Sequence, residues 1–239
     1  RWDDATTITL APQSGAARIA SATDLEVLNG ANLGLLVSPD CVVELIQHAS
    51  AIANSDGTIT LSRLLRGRRG TEDAGAFGAA LYVLLDGSEL PFAGLLASLG
   101  QSESFRVQGA FQQVQEAAPI TRTNMGRAER PYAPVHITAT RDGANNLTIT
   151  WVRRTRLGGA LLDGTGAVPL GEASEAYEVD IRNAGDTATL RTITATSPTA
   201  SYTAAQQVAD GLTPGAPVRL RIFQISATVG RGIPGSATL

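Results

Sequence analysis

The sequence predicts an all-β protein in two modules, a β-rich barrel or sandwich followed by a second, smaller β-sandwich. Three observations carry this. Polar and apolar residues alternate with period two at 6–10 (TTITL), 146–152 (NLTITWV), 176–181 (AYEVDI) and 218–225 (VRLRIFQI), as on half-buried antiparallel strands. Gly, Pro, Asn and Asp clusters separate these runs at short intervals. The 239 residues, 43% of them apolar, are enough to bury a core in one large or two small domains, which excludes a disordered chain.

In the N-terminal part, Thr6 to Leu10 is a first strand. Segments 41–53 and 58–61 flank Asn54-Ser55-Asp56-Gly57, an Asp-Gly turn that predicts a hairpin. The second strand runs into LSRLLRGRRGTE, where Gly67 and Gly70 suit positive φ or a close backbone approach. The apolar run Leu81 to Leu85 reads as a fully buried strand. Helix signals are few: Thr71 capping a turn with Glu72 and Asp73 at its positive end, and the stretch 91–99.

Residues 127–134 (RAERPYAP) are polar and carry two prolines, the composition of a linker. The expected organisation is therefore 1–130, a linker at 131–134, and 135–239. In the second module, strands are expected at 135–140, 147–152, 177–181, 190–196, 200–203 and 218–226, with a seventh starting at Ser236. About seven short strands in about 100 residues is the pattern of a sandwich. Alternation places Trp151 and Tyr177 in its core, and Leu212 with Pro214 at a corner before the sixth strand. Residues 153–175 form a long glycine-rich connection, expected to contact another protein.

The chemistry-bearing residues do not assemble into an active site on paper. The single cysteine, Cys41, excludes an internal disulfide and reads as a buried thiol beside Val42 and Val43. The two histidines, His48 and His136, follow no metal-ligand spacing and read as packed or surface residues. The carboxylate pairs Asp3-Asp4 and Glu72-Asp73 fit turns and caps. Gly164-Thr165-Gly166 lacks the third glycine of a nucleotide fingerprint, and there is no nucleophile elbow or P-loop. The expectation is no catalytic residue, no cofactor and no metal. No apolar run reaches the roughly 18–20 residues of a membrane-spanning helix, and the net charge of −3 gives no overall pull toward nucleic acid. The chain opens on Arg1 instead of Met, and reads as a piece of a longer polypeptide.

All 19 basic residues are arginine. Arg63, Arg66, Arg68 and Arg69 form one cluster, Arg153, Arg154 and Arg156 another. Each has two readings: a guanidinium fork offered to a partner protein, or an arginine whose stem covers its own domain. Both clusters are taken as interface candidates.

Two resemblances add to this. Trp151, the Tyr177-Glu178-Val179 strand, Leu212-Thr213-Pro214-Gly215 and the closing GRGIPGS at 230–236 resemble a fibronectin type III domain. The tyrosine that family carries six residues after the leucine is Val218 here, so its corner hydrogen bond is missing. LSRLLRGRRGTE followed by YVLLD is similar to the hub proteins of long-tailed phage tail tips, above all those of gene transfer agents. That resemblance implies a structural component of the tail tip or baseplate. It would form a homotrimer below the tail tube, meet other tail-tip and baseplate proteins, and stand near the outgoing DNA and the host surface. Its place would be the phage-like particle. Two alternatives remain open: a carbohydrate-binding or adhesive module of a secreted bacterial protein, for which the few aromatic residues are a poor supply, and a tail-associated hydrolase.

Overall fold

A computed structural model describes residues 2–13, 18–40, 42–71, 78–85, 98–106, 108–109, 111–159 and 167–239. It is all-β, with 43% strand and 9% helix. The chain divides into two compact units, Arg1–Phe92 and Ala93–Leu239.

The first unit is one antiparallel sheet in the order β1-β4-β3-β2-β5. Its strands are β1 (Ile8–Leu10), β2 (Leu33–Val37), β3 (Val43–Ala53), β4 (Ile59–Arg68) and β5 (Leu81–Leu84), with helix α1 (Asp24–Leu28) between β1 and β2. The expected hairpin is β3–β4. Asn54 N–H donates to Thr58 O at 2.8 Å, Asp56 Oδ1 accepts from Thr58 N, and Gly57 takes φ +82°. Ile59, Leu61 and Leu64 form a core with Ile8, Leu10 and Ile19 against them. On β4 the register against β3 shifts by one residue between Leu45 and Gln47, and Gly67 at φ +60° lies in the stretch that absorbs it.

Residues 81–85 are not the fully buried strand expected. β5 pairs with β2 at the sheet edge, and Leu81 is 61% exposed. An apolar run this short looks the same at an edge as in a centre, because the run does not record how many neighbours pair with it. The suggested helix starts at 71–73 and 91–99 fall mostly outside the described residues. Thr71 itself is described: its hydroxyl donates to Arg68 O and accepts from Leu45 N, so it closes the end of β4.

The second unit opens with a two-stranded ladder, β6 (Ser102–Arg106) and β7 (Pro119–Thr123). A sandwich follows. One sheet has the order β12-β9-β8 and the other β11-β10-β13-β14, with β15 also on β13. The strands are β8 (Val135–Arg141), β9 (Leu147–Val152), β10 (Tyr177–Arg182), β11 (Thr189–Ala195), β12 (Thr199–Tyr202), β13 (Arg219–Ser226), β14 (Gly230–Arg231) and β15 (Gly235–Thr238), with helix α2 (Ala204–Ala209) between β12 and β13. Three strands thus face five across a shared core. Leu147, Ile149 and Trp151 alternate inward from β9 and meet Tyr177, Val179, Ile181, Leu220 and Ile222. The Trp151 and Tyr177 rings meet edge to face at 5.1 Å, and Leu212 packs against the same core.

The compact units do not divide at the expected linker. Pro131, Ala133 and Pro134 are buried, because the last turn of the sandwich closes over them: Ile233 N donates to Pro131 O at 2.9 Å. A Cβ on Gly232 would sit 2.6 Å from Pro131 O, and one on Gly235 2.3 Å from Pro134 O. The proline-rich composition is real; these prolines are wedged against glycines rather than exposed as a tether.

Candidate functional site

The arginine cluster of β4 is where unusual chemistry concentrates in the first unit. Arg63 adopts φ +51° where the chain from Trp2 to Asp4 joins the sheet through the Asp3–Leu64 bridge. Its guanidinium grips Asp24 with two bonds, Nε to Oδ1 at 2.8 Å and Nη2 to Oδ2 at 2.6 Å. It reaches Asp4 at 2.8 Å and stacks 4.7 Å above the Trp2 ring. Asp24 opens α1, whose Thr23 and Glu26 form a reciprocal capping box. One arginine therefore fastens the N-terminal segment and the helix start to β4. Its hydrogen bonds hold the Asp24 carboxyl below the usual range.

Arg66 faces inward. It donates through Nε and Nη2 to the two oxygens of Glu44, at 3.0 and 2.5 Å, and Gly67 N–H adds a third bond at 2.9 Å. The Glu44 side chain is 4% exposed, so both of its oxygens are satisfied where water is excluded. Arg68 Nε donates to Gln47 Oε1 at 2.7 Å. Gln47 Nε2 in turn donates to Val27 O and Ala31 O at 2.6 and 2.7 Å, tying the end of α1 and the turn after it to β3. Arg69, at φ +52°, is the exposed member; among the described residues no partner holds its guanidinium.

The second cluster also turns home. Arg153 bonds Glu175 at 2.9 Å and Val168 O twice, and Tyr177 Oη donates to the same Glu175. Burial pushes the Tyr177 hydroxyl up to about 12. Arg156 pairs with Glu129 at 2.8 Å and Glu172 at 3.4 Å, and Arg154 lies 5.2 Å over Tyr132. The described parts of the 153–175 connection are thus tied to their own unit.

Two arrangements went unseen in the sequence. Arg231 forks onto Asp180 at 2.8 and 3.0 Å, reaches Glu178 at 2.6 Å and stacks on Phe223 at 4.5 Å. Burial raises Asp180, but the Arg231 and Thr192 bonds outweigh it and leave the carboxyl below its usual range. Arg191 forks onto Asp210 at 2.7 and 2.8 Å, and Tyr202 Oη donates to the same carboxylate at 2.8 Å. Tyr202, not position 218, therefore anchors a hydroxyl near the corner; Val218 is buried. No motif signals these pairs, because each joins residues far apart in the chain.

His48 is fully buried and His136 exposed at a bulge in β8. Cys41, Glu72, Asp73 and Gly164 to Gly166 lie outside the described residues. Asp3 Oδ1 accepts from Ala5 and Thr6 N–H, a turn role. Among the described residues no three His, Cys, Asp or Glu stand where they could share a metal ion, and no helix is long and apolar enough to cross a membrane. A recess of about 540 Å³ lies between the edges of β11 and β12, lined by Thr194, Thr196, Ser197, Thr199 and Ser201 among others.

What these units define is an all-β pair of modules whose arginines mostly serve their own fold. Residues 1–83 match the model of a family described as "Rcc01698-like, C-terminal". Among solved structures, the chain is similar to the rat CD45 extracellular region, domains d3–d4, at 10% identity and a TM-score of 0.33, covering 69% of this chain and 90% of that one. It is also similar to the FN5 domain of Drosophila Lar, at 13% identity and a TM-score of 0.26, covering 45% and 95%. No curated protein matches.

Proposed function

We propose that this chain is a non-catalytic structural component of a phage-like tail tip or baseplate, a piece of a central hub that joins the tail tube to host-attachment parts and supports DNA delivery. The observation that carries the reading is the family match over residues 1–83, the stretch that holds LSRLLRGRRGTE and reaches the start of YVLLD. The internal use of the arginines fits a scaffold: the guanidinium forks that could have marked an anion site are occupied by Asp24, Glu44, Glu175 and Glu129. In this reading the chain acts as a homotrimer within the particle, and its mechanism is burial of complementary surface against copies and neighbours.

The test is removal of the coding segment from a particle-producing strain. The expected result is tails without a functional tip, with DNA packaged but not delivered. Particles that deliver DNA at normal titre without this segment contradict the proposal. For the adhesive alternative, the hydroxyl-lined recess between β11 and β12 is the place to look, and a glycan array is the discriminating assay: saturable binding to one polysaccharide favours it. Turnover of cell-wall polymer by this chain, lost on changing one carboxylate, favours the hydrolase.

A further inference from the structure

β3 is eleven residues long, but β2 pairs only with Val43 to Gln47. Beyond that point another segment takes over the edge. Ala22 N–H donates to Ala49 O at 2.9 Å, and the Ser21 hydroxyl bonds both the N–H and the carbonyl of Ala51. Asn32 Nδ2 bridges Ala20 O and His48 O at 2.9 and 3.0 Å. The fourth tie is His48 itself, whose Nε2 lies 3.3 Å from Ala20 O. The carbonyl makes Nε2 the protonated nitrogen. Nδ1 is buried and has no hydrogen-bond partner, so a proton added there meets no acceptor.

The ionisable groups around this ring are few. Tyr82 comes from β5, and its own hydroxyl is buried without a partner. Glu44 stands four residues back on the same strand, neutralised by Arg66 of β4. β4 places Leu64 directly opposite, Asn32 immediately precedes β2, and Arg18 stands two residues before Ala20. Among the described residues, no carboxylate bonds to the ring. Burial pushes the His48 imidazole below its ordinary range, opposed only by the Ala20 carbonyl.

We propose that His48 is an acid-sensitive latch: neutral, it holds residues 20–22 along β3, and protonated, it releases them and uncovers the strand edge from His48 to Ala51. The sign follows from linkage. A histidine depressed in the fold takes its proton more readily when the segment is open, so the closed form is fully favoured above about pH 6.5 and loses ground as pH falls below it. A bared strand edge is a pairing surface for another chain, so acid would convert a closed sheet into one that accepts a strand.

Hydrogen exchange at the Ala22 and Ala51 amides tests this on the whole chain. After correction for intrinsic rates, protection is expected to fall at least about tenfold between about pH 7.5 and about pH 5. The fall should persist in His136→Gln and vanish in His48→Gln, whose amide can still donate to Ala20 O. Unchanged wild-type protection at the lower pH, or the same fall in His48→Gln, overturns the proposal. Should His48→Gln not fold, NMR titration of the wild-type ring decides: a transition at or above the ordinary histidine range overturns it, one below supports it.

Discussion

Arg66 and Arg69 stand three residues apart on one strand end and do opposite things. The first neutralises Glu44 inside the sheet; the second projects into solvent. Reversing the charge of Arg66 sets a second carboxylate against the buried Glu44, so Arg66→Glu is expected to lower unfolding stability by about 3–5 kcal/mol in denaturant titration. Arg69→Glu should stay within about 0.5 kcal/mol of wild type, which makes it the variant to use when asking whether this corner meets another protein in the particle. In the sandwich, Trp151→Ala removes a ring that is 4% exposed and in edge contact with Tyr177. A loss of about 3–5 kcal/mol is expected, and an unshifted melting curve would mean that the indole contributes little to the core.

Among the elements, β2 and β5 are held in register by a glycine. The Tyr82 ring lies across Gly34, and a Cβ there would come within 2.3 Å of the ring. Gly34→Ala is expected to expel the ring and destabilise the first unit by about 1–3 kcal/mol, with part of the loss recovered when Tyr82→Ala is added; additive losses in that double variant would contradict the packing described. The sandwich strands were legible because alternation such as Leu147-Ile149-Trp151 records one buried face. β2 was not, since LGLLV lacks alternation and follows a helix that also went unseen. Yet Thr23-x-x-Glu26 and Thr203-x-x-Gln206, the capping boxes of α1 and α2, stand openly in the sequence. The arginine partners were illegible for a different reason: Arg63 meets Asp24, and Arg231 meets Asp180, only after the sheets have formed.

For the molecule as a whole, the sequence marked seven of the eight sandwich strands, missing the two-residue β14, but assigned the prolines at 131 and 134 to a linker, where they are buried under the closing turn. It left both arginine clusters open between a partner's surface and their own domain; Arg63, Arg66, Arg153 and Arg156 pair within their own units. Among the described residues, outward-facing features include Arg69, the β6–β7 ladder with its wholly exposed second strand, and the apolar Phe111, 105% exposed. Contacts in an assembled tip would use such places. The most direct measurement is electron cryomicroscopy of purified particles in which this chain carries a compact fusion label. The account predicts label density at the distal end of the tail, repeated three times about its axis; label on the capsid, or particles that never contain the chain, would contradict it.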